Sequence, residues 1–419
     1  MARLTHILIA WLLASATVQA QDLSALEQAA KKGRRDADAQ SAYGHALVEA
    51  AQYRKAERFL KLAARLRKDD ARGLYDRVAI PLAQGDYRRS KGACRELQNK
   101  HPDSVLGDVC MARAFLAWRR ASRADEHLTL AAKKAPQDLE LQIATADARR
   151  MQGRTADALA AYQAVLQASP TLGRAHVGLG LLHLASGDRG SATAALQTAI
   201  THSPYNVRAL HELGQLLEGK EAVAMLERAL ALKKKWPEAK LALAQAKLEA
   251  GDVEAAEALF RVALKDKRFT ARAQIGLGTA LMARGDLVAA EEGLKAGLSA
   301  LPHSPEANFA LAQLYERTER YEDAFEQYRA AAVTRGHNTR ALMAAAQLAV
   351  KLSRNLLAGA FLRKALENAP KAGGVHALYA DLLVARGDRE AAKNHYQQAL
   401  AGEGEVDRDA VAGKLAALK

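Results

Sequence analysis

Apolar and polar positions along the chain follow the period of amphipathic helices, in pairs separated by a Gly-Asp turn. The stretch LGLLHLASGDRGSATAAL (residues 179–196) contains one helix, a turn at Gly187 and Asp188, and the start of a second helix. The same pattern returns at residues 277–294 and 379–396. A single helix pair of this length cannot bury its own apolar face, so the recurrence predicts that successive pairs stack on one another.

Alignment on the small residue of the first helix and on the turn divides residues 37–406 into eleven repeats. The repeats start at residues 37, 71, 105, 139, 173, 207, 237, 271, 305, 339 and 373, and the repeat at 207 is the short one. Position 8 is glycine or alanine in every repeat except the second, and position 20 is small throughout, which allows the backbones of neighbouring helices to approach closely. Prolines stop the second helix near the ends of six repeats: Pro102, Pro136, Pro170, Pro204, Pro302 and Pro370.

This arrangement resembles the tetratricopeptide repeat (TPR) proteins, whose 34-residue helix–turn–helix units carry small residues at positions 8, 20 and 27 and proline near position 32. The resemblance implies an all-α fold, a right-handed α-solenoid of about eleven TPR units with the first helices on its concave side. We expect a leading helix over residues 21–36 and a capping helix over residues 407–419. Pro81, inside a first helix, and the short repeat at 207 predict local changes of bend or pitch.

Residues 1–20 have the pattern of a cleavable signal peptide. Arg3 precedes an apolar run over residues 7–16, and a small-x-small sequence predicts cleavage between Ala20 and Gln21. The run is shorter than the ~20 residues of a spanning helix, so an uncleaved anchor is the weaker alternative, and no later segment predicts a transmembrane span. The mature chain is therefore expected in an exported compartment, the periplasm of a Gram-negative cell.

The two cysteines, Cys94 and Cys110, are compatible with two states. An oxidising compartment permits a disulfide, which would close a loop of about 15 residues and stabilise the fold by up to ~3 kcal/mol in the chain-entropy model. Two reduced thiols packed in the core are the alternative, because free cysteine packs as a small hydrophobe.

The sequence carries no motif for catalysis or metal binding. His176 and His183 share one helix, but no HExxH motif and no Cys/His pair at ligand spacing accompany them. Because the repeats leave no room for a separate catalytic domain, we expect a protein that is not an enzyme and needs no cofactor. A hydrolase whose residues are assembled only in space is the enzymatic alternative.

Positions 2, 5 and 9 of the first helices are expected to line the concave groove and form the binding surface. They supply apolar side chains, glutamine amides that both donate and accept hydrogen bonds, and arginines. The candidate groove residues are Arg72, Tyr75, Arg174, Arg208, Gln215, Gln245, Arg272, Phe309, Gln313, Arg340 and Gln347. Such a groove suits a protein or peptide segment that carries some acidic residues. The alternative for each residue is a role in the core or in a solvated face.

The formal net charge of +14 is concentrated near the N-terminus. Residues 21–135 hold 24 basic and 15 acidic residues, against 36 and 32 in residues 136–419. The candidate basic face consists of Arg88, Arg89, Lys91, Arg119, Arg120 and Arg123. Such a face attracts an acidic protein, an anionic polysaccharide or lipid head groups, although basic side chains also simply keep helix surfaces soluble. Nucleic acid is not expected as a partner of an exported chain.

Together these patterns predict a periplasmic, non-enzymatic scaffold that binds protein segments in its groove, within an envelope assembly or export complex. The architecture is similar to that of the periplasmic TPR regions of polysaccharide-export and pilus assembly systems. The alternative is a carrier or tether for an anionic polysaccharide or lipid, held by the basic N-terminal repeats.

Overall fold

The structure, a computed structural model, describes residues 23–68, 70–333 and 339–418. The predicted signal peptide and its cleavage site between Ala20 and Gln21 lie outside these ranges. Within them the chain is an all-α helical repeat solenoid of 24 helices joined by short turns. It divides into two compact units, the first reaching to Ala250 and the second starting at Gly251.

The first compact unit contains helices α1 (residues 23–32), α2 (Ala37–Glu49), α3 (Tyr53–Leu66), α4 (Ala71–Ala83), α5 (Tyr87–Lys100), α6 (Val105–Ala117), α7 (Ala121–Lys134), α8 (Leu139–Met151), α9 (Thr155–Ala168), α10 (Gly173–Ala185), α11 (Arg189–His202), α12 (Val207–Leu216), α13 (Gly219–Leu232) and α14 (Pro237–Glu249). The second contains α15 (Val253–Ala263), α16 (Thr270–Arg284), α17 (Leu287–Ala300), α18 (Pro305–Arg317), α19 (Tyr321–Val333), α20 (Thr339–Lys351), α21 (Asn355–Asn368), α22 (Gly373–Ala385), α23 (Arg389–Ala401) and α24 (Arg408–Ala416). Even-numbered helices from α2 to α22 are the first helices of the repeats, and each is followed by its second helix.

The Gly-Asp turn between the two helices of a repeat is specified by local chemistry. Gly187 has a φ of 79°, in the left-handed region that glycine adopts without a steric penalty. Asp188 then accepts a hydrogen bond from the backbone N–H of Ser191 at 3.0 Å and caps α11. Gly285 and Asp286 have the same two roles before α17. The glycine thus ends one helix and the aspartate begins the next.

Glycines of the first helices make room for bulky side chains of the second helices. At position 8 of its repeat, Gly180 of α10 faces Leu196 of α11, and a Cβ added to the glycine would lie 2.7 Å from Leu196 Cγ. Gly178 of the same helix faces the fully buried ring of Tyr162 from the preceding repeat, at 2.4 Å from Cε1. Both distances are far below van der Waals contact, so these helices pack closely only because the side chain is absent.

The two ends of the array are covered by additional helices. Ala30 of α1 is buried in the apolar cluster that includes Tyr43 of α2. At the other end, Val411 of α24 is buried against the last repeat, and Lys414 forms an ion pair with Asp381 at 2.8 Å. Each end helix therefore covers apolar surface that the terminal repeat would otherwise expose.

The two irregular repeats differ from the others in different ways. Pro81 lies in the last turn of α4, where its missing N–H removes only one intrahelical hydrogen bond, and the helix continues to Ala83. In the short repeat, α12 is 10 residues long against 13 in α10, and Leu217 and Glu218 lead directly into α13. The shortening therefore falls on the first helix and its turn, while α13 keeps 14 residues.

A disulfide joins the second and third repeats. Cys94 of α5 and Cys110 of α6 are both fully buried, and their Cα atoms lie 5.4 Å apart. Of the two states that the sequence leaves open, the structure contains the bridge. It ties the second helix of one repeat to the first helix of the next.

We expect Gly178→Ala to lower the free energy of unfolding by about 1 to 3 kcal/mol, because the added methyl group overlaps the Tyr162 ring in a packed core. Gly92→Ala is the matched control, since Gly92 lies inside α5 and an added Cβ meets nothing within 4 Å. There alanine should stabilise the helix by about 0.5 to 1 kcal/mol. Urea unfolding monitored by circular dichroism measures both variants, and a destabilised Gly92→Ala or a neutral Gly178→Ala would contradict this packing analysis.

Candidate binding surfaces

The first helices of the first compact unit carry a buried ionic network centred on Glu140 of α8. Arg174 of α10 donates two hydrogen bonds to this carboxylate, from Nη1 to Oε2 at 2.8 Å and from Nη2 to Oε1 at 2.5 Å. The hydroxyl of Tyr75 donates to Oε2 at 3.0 Å, and Arg113 of α6 donates to the same oxygen at 3.3 Å. Arg72 lies at 3.8 Å from Oε1. Four side chains from three other helices therefore converge on one carboxylate.

The protonation states follow from this geometry. Burial raises the pKa of Glu140, but the charge and hydrogen bonds of Arg174 and the charge of Arg113 outweigh it, so the pKa lies well below the usual glutamate range. Burial raises the pKa of Tyr75 to about 12. Glu140 is thus ionised and Tyr75 neutral at physiological pH, as the observed hydrogen bonds require.

A second carboxylate extends the network towards the N-terminus. The side chain of Asp76 is 0% exposed and contacts Arg67 Nη1 at 2.6 Å and His45 Nε2 at 3.0 Å. Arg72 Nε lies 3.5 Å from Asp76, so this arginine connects the two carboxylates. Arg67 also pairs with Asp38. The network therefore joins the first five repeats.

Three candidate groove residues of the first compact unit are thus already bound within the chain: Arg72, Tyr75 and Arg174. The other three are exposed and have short-range partners on their own helices. Arg208 lies 3.8 Å from Glu212, Gln215 donates to His211 Nδ1 at 3.1 Å, and Gln245 donates to Glu249 at 2.8 Å. Burial lowers the pKa of His211 to about 4, so its ring is neutral.

The candidate groove residues of the second compact unit form a more open surface. Phe309 of α18 is half-buried, and the guanidinium of Arg340 lies over its ring at 4.9 Å from the centroid. Gln313 follows Phe309 by one helical turn and is half-buried, and Gln347 of α20 is exposed. Within the described residues no carboxylate pairs with Arg340 or with the exposed Arg272 of α16. This surface combines an aromatic ring, amides and uncompensated arginines.

The candidate basic face contains an aromatic pair that the sequence analysis missed. Tyr87 and Trp118 stack with ring centroids 4.2 Å apart, and Trp118 is 48% exposed. Lys91 Nζ lies 5.4 Å from the Tyr87 centroid, and the Arg120 guanidinium lies 5.0 Å from the Trp118 centroid. Arg88 and Arg89 at the start of α5, Arg119 in the turn between α6 and α7, and Arg123 in α7 are exposed.

Metal chemistry has no evident location in the part of the chain that the structure describes. No group of three or more His, Cys, Asp or Glu side chains there could hold a metal ion. His376 and His395 do meet, with their Nδ1 atoms 2.9 Å apart, but the Nε2 atom of His376 is bound to the carbonyl of Pro370. Among the described helices none is long and apolar enough to cross a membrane.

Sequence reasoning also missed Glu140 and Arg113 as site residues. A signal for Glu140 was present, because it occupies position 2 of its repeat, between Arg72 two repeats earlier and Arg174 in the next repeat. An acid in a row of arginines at one helical position indicates internal pairing. Arg113 occupies position 9 of the third repeat, one of the three positions expected to line the groove, so a signal for it was also present.

Comparison with known proteins confirms the tetratricopeptide repeats. Residues 111–172 and 275–339 match one tetratricopeptide repeat family, and residues 218–280 match another. A search of curated proteins finds no match to the chain. Repeats of this kind indicate a protein–protein interaction scaffold, a fold that is typically not enzymatic.

Three solved structures resemble the chain at low sequence identity. Yeast Tom70 superimposes with a TM-score of 0.53 and 13% identity, over 91% of this chain and 95% of that chain. The APC/C hetero-tetramer Cut9-Hcn1 gives a TM-score of 0.45 with 15% identity, over 96% and 86%. A tetratricopeptide repeat protein from Parabacteroides merdae gives 0.42 with 18% identity, over 59% and 98%. The likeness to Tom70 supports the fold and nothing further.

We expect Glu140→Gln to destabilise the chain by about 3 kcal/mol at pH 7, because it leaves half-buried arginines without their counter-charge. The folded pKa of Glu140 lies below the unfolded value of about 4.3, so its stabilisation is complete above that pH and is lost as the pH falls through the folded pKa. The difference between wild type and Glu140→Gln should therefore be constant from about pH 7 to 5 and shrink below about pH 4. Urea unfolding across this range measures it.

Glu57→Gln is the control, because Glu57 forms an exposed pair with Lys61 and should change stability by no more than about 1 kcal/mol. If Glu140→Gln behaved like Glu57→Gln, the Glu140 network would have no stabilising role.

Proposed function

We propose that this tetratricopeptide repeat chain is a non-enzymatic scaffold that binds an extended protein segment along the first helices of its second compact unit. The observation that supports this choice is the contrast between the two units. In the first, Glu140 engages Arg72 and Arg174 at close range. In the second, Arg272 and Arg340 occupy the same position of their repeats without a carboxylate partner among the described residues.

The chemistry of this surface defines the partner. An acidic side chain of the partner can form an ion pair with Arg340 or Arg272, as Glu140 does with Arg174. Phe309, with the half-buried Met343 of α20 at the equivalent position, offers apolar contact area. The amides of Gln313 and Gln347 can both donate to and accept from the backbone of an extended segment. The expected partner is therefore a segment with alternating acidic and apolar residues.

We further propose that the scaffold acts in the periplasm, within an envelope assembly or export complex. The support for this location is the signal-peptide pattern of residues 1–20. Long TPR arrays that follow such a signal resemble the periplasmic repeat regions of export and pilus assembly systems, and that resemblance supports the type of complex.

A photoreactive amino acid at Gln313 should cross-link a protein partner in the native host, because this side chain lies on the proposed surface. The photoreactive amino acid placed at Val288 is the matched control. Val288 is 76% exposed but lies on α17, which is the second helix of its repeat. Arg340→Glu should reduce the Gln313 adduct to background by repelling an acidic segment. Mass spectrometry of the adduct identifies the partner.

Equal yields of cross-linked adduct at Gln313 and Val288 would show that the partner has no preference for the proposed surface. That result would contradict the proposal. An adduct that persists in Arg340→Glu would exclude recognition of an acidic segment on this surface.

A second candidate function is favoured by the aromatic pair in the basic face. Arginines and lysines attract an anionic polysaccharide or lipid head group, and the exposed Trp118 ring offers a flat surface on which a sugar ring can pack. Tyr87 stacks beneath Trp118 and holds its orientation. A carrier or tether for an anionic glycan would use these residues.

For this second candidate, alginate is the probe and Trp118 fluorescence the measurement. Wild type should bind with an affinity that falls steeply as salt is added, since exposed charges are screened. Arg119→Glu combined with Arg120→Glu should abolish binding. Lys234→Glu combined with Lys235→Glu makes the same charge change far along the sequence, near Trp236, and should have little effect. An equal loss of alginate binding in the two double variants would show that only the net charge of the chain matters.

A further inference from the structure

A cavity of about 430 Å³ lies between the first and second repeats, at a place distinct from the surfaces described above. It is enclosed by the C-terminal half of α3, the start of α4 and the end of α5. Six of its lining side chains are cationic: Lys61, Arg65, Arg67, Lys68, Arg77 and Lys100. Among the described residues, Asp70 is the one carboxylate that lines it. The cavity and the basic face lie at opposite ends of α5, about 18 Å apart along that helix.

Asp70 and Arg67 are already engaged by the fold. Asp70 caps α4 by accepting the backbone N–H of Arg72 at 3.1 Å. Arg67 is only 14% exposed on its side chain and is turned to the buried Asp76 at 2.6 Å. The charge available to a ligand therefore comes from the five other cations.

These five cations are weakly compensated. Lys61 pairs with Glu57 and Lys100 with Glu96, but all four side chains are 41% to 58% exposed, and such pairs contribute little and exchange readily with other anions. Arg77 is 4.0 Å from Glu96, at the limit of an ion pair. In the described part of the chain neither Arg65 nor Lys68 has an ion-pair partner.

The repeat fold does not require this concentration of charge. Lys68 occupies position 32 of the first repeat, and the next four repeats have proline there: Pro102, Pro136, Pro170 and Pro204. At position 29, where the first repeat has Arg65, the second and fourth have Asn99 and Gln167. The third repeat has a lysine at position 29, Lys133, but the second and fourth repeats form the same helix pair without a cation at either position, so the packing does not require Arg65 or Lys68.

The lining and the volume together define a ligand class. The volume falls in the range of small-molecule sites, and six of the ten described lining residues are cationic. Arginine forks and lysine ammonium groups in one enclosure match the several oxygens of a phosphate, which carries up to two negative charges. We propose that this cavity binds the phosphate group of a small phosphate ester or of a lipid head group.

The first test is isothermal titration calorimetry of the full chain with inorganic pyrophosphate at low ionic strength. Wild type should show saturable binding, and Arg65→Ala combined with Lys68→Ala should weaken it at least about tenfold. Arg77→Ala with Lys100→Ala is a second cavity variant with the same expectation. Lys234→Ala with Lys235→Ala is the matched control, because it removes the same charge from exposed positions outside both cationic surfaces and should leave the affinity within about twofold.

The source of the phosphate is distinguished with vesicles of phosphatidic acid in phosphatidylcholine. The site is assigned to a lipid head group if the chain binds the vesicles, if pyrophosphate displaces them, and if Arg65→Ala with Lys68→Ala weakens this binding. Pyrophosphate binding without vesicle binding assigns it to a soluble ester. Failure of both probes to bind the wild type overturns the proposal, and so does equal weakening by the cavity and control variants. Far-ultraviolet circular dichroism verifies that each variant keeps its helix content.

Discussion

The whole array depends on helices that approach closer than ordinary side chains permit. Where Gly276 of α16 faces the Phe260 ring of α15, an added Cβ would lie 2.2 Å from a ring carbon, so the aromatic side chain occupies space that only a missing side chain leaves. Alanine serves the same purpose at many of the other small positions, which are completely buried. Dispersion and burial at these contacts replace the single large core of a globular domain. Each repeat is therefore stable only against its neighbours.

This constraint separates the positions that build the array from those that are free to act. Position 8 is glycine or alanine in every repeat except the second, whereas positions 2, 5 and 9 of the first helices carry charged, amide, apolar or aromatic side chains. The first compact unit uses that freedom for internal pairing, in which one carboxylate, Glu140, engages Arg72, Arg113 and Arg174. Pairing of this kind satisfies buried charges but leaves little capacity for a partner. In the described part of the second unit, Arg272 and Arg340 at position 2 of their repeats have no such carboxylate partner.

The sequence contains nearly all the information needed for the fold, because the fold rests on local rules. The Gly187–Asp188 turn combines a left-handed glycine with a capping aspartate, and both roles can be assigned from neighbouring residues. Of the leading helix expected over residues 21–36 and the capping helix expected over residues 407–419, the structure describes helical residues 23–32 and 408–416. Helix ends depend on which residue supplies the cap, and a repeat pattern does not specify that at the termini.

The candidate binding surfaces were harder to predict from the sequence than the fold, because they depend on distances between side chains of different repeats. Tyr75 meets Glu140 over 65 positions of sequence, and the periodicity shows only that both lie on first helices. Tyr87 and Trp118 lie at matching turns of consecutive repeats, so their stacking depends on the offset between two repeats. The disulfide required a Cα separation of 5.4 Å that no spacing rule supplies.

The first compact unit has two cationic surfaces, the basic face and the cavity. Both are explained by the separation between positions that build the array and positions that are free to act. Arg88 near one end of α5 and Lys100 at the other are exposed, so these two side chains impose no packing requirement. Uncompensated like charges repel one another and lower stability slightly when no anion is present. A ligand that brings negative charge to such a place gains the attraction and also relieves that repulsion. Neither packing nor solubility requires so many cations at one junction of a regular array. A binding site is therefore the simplest explanation for them.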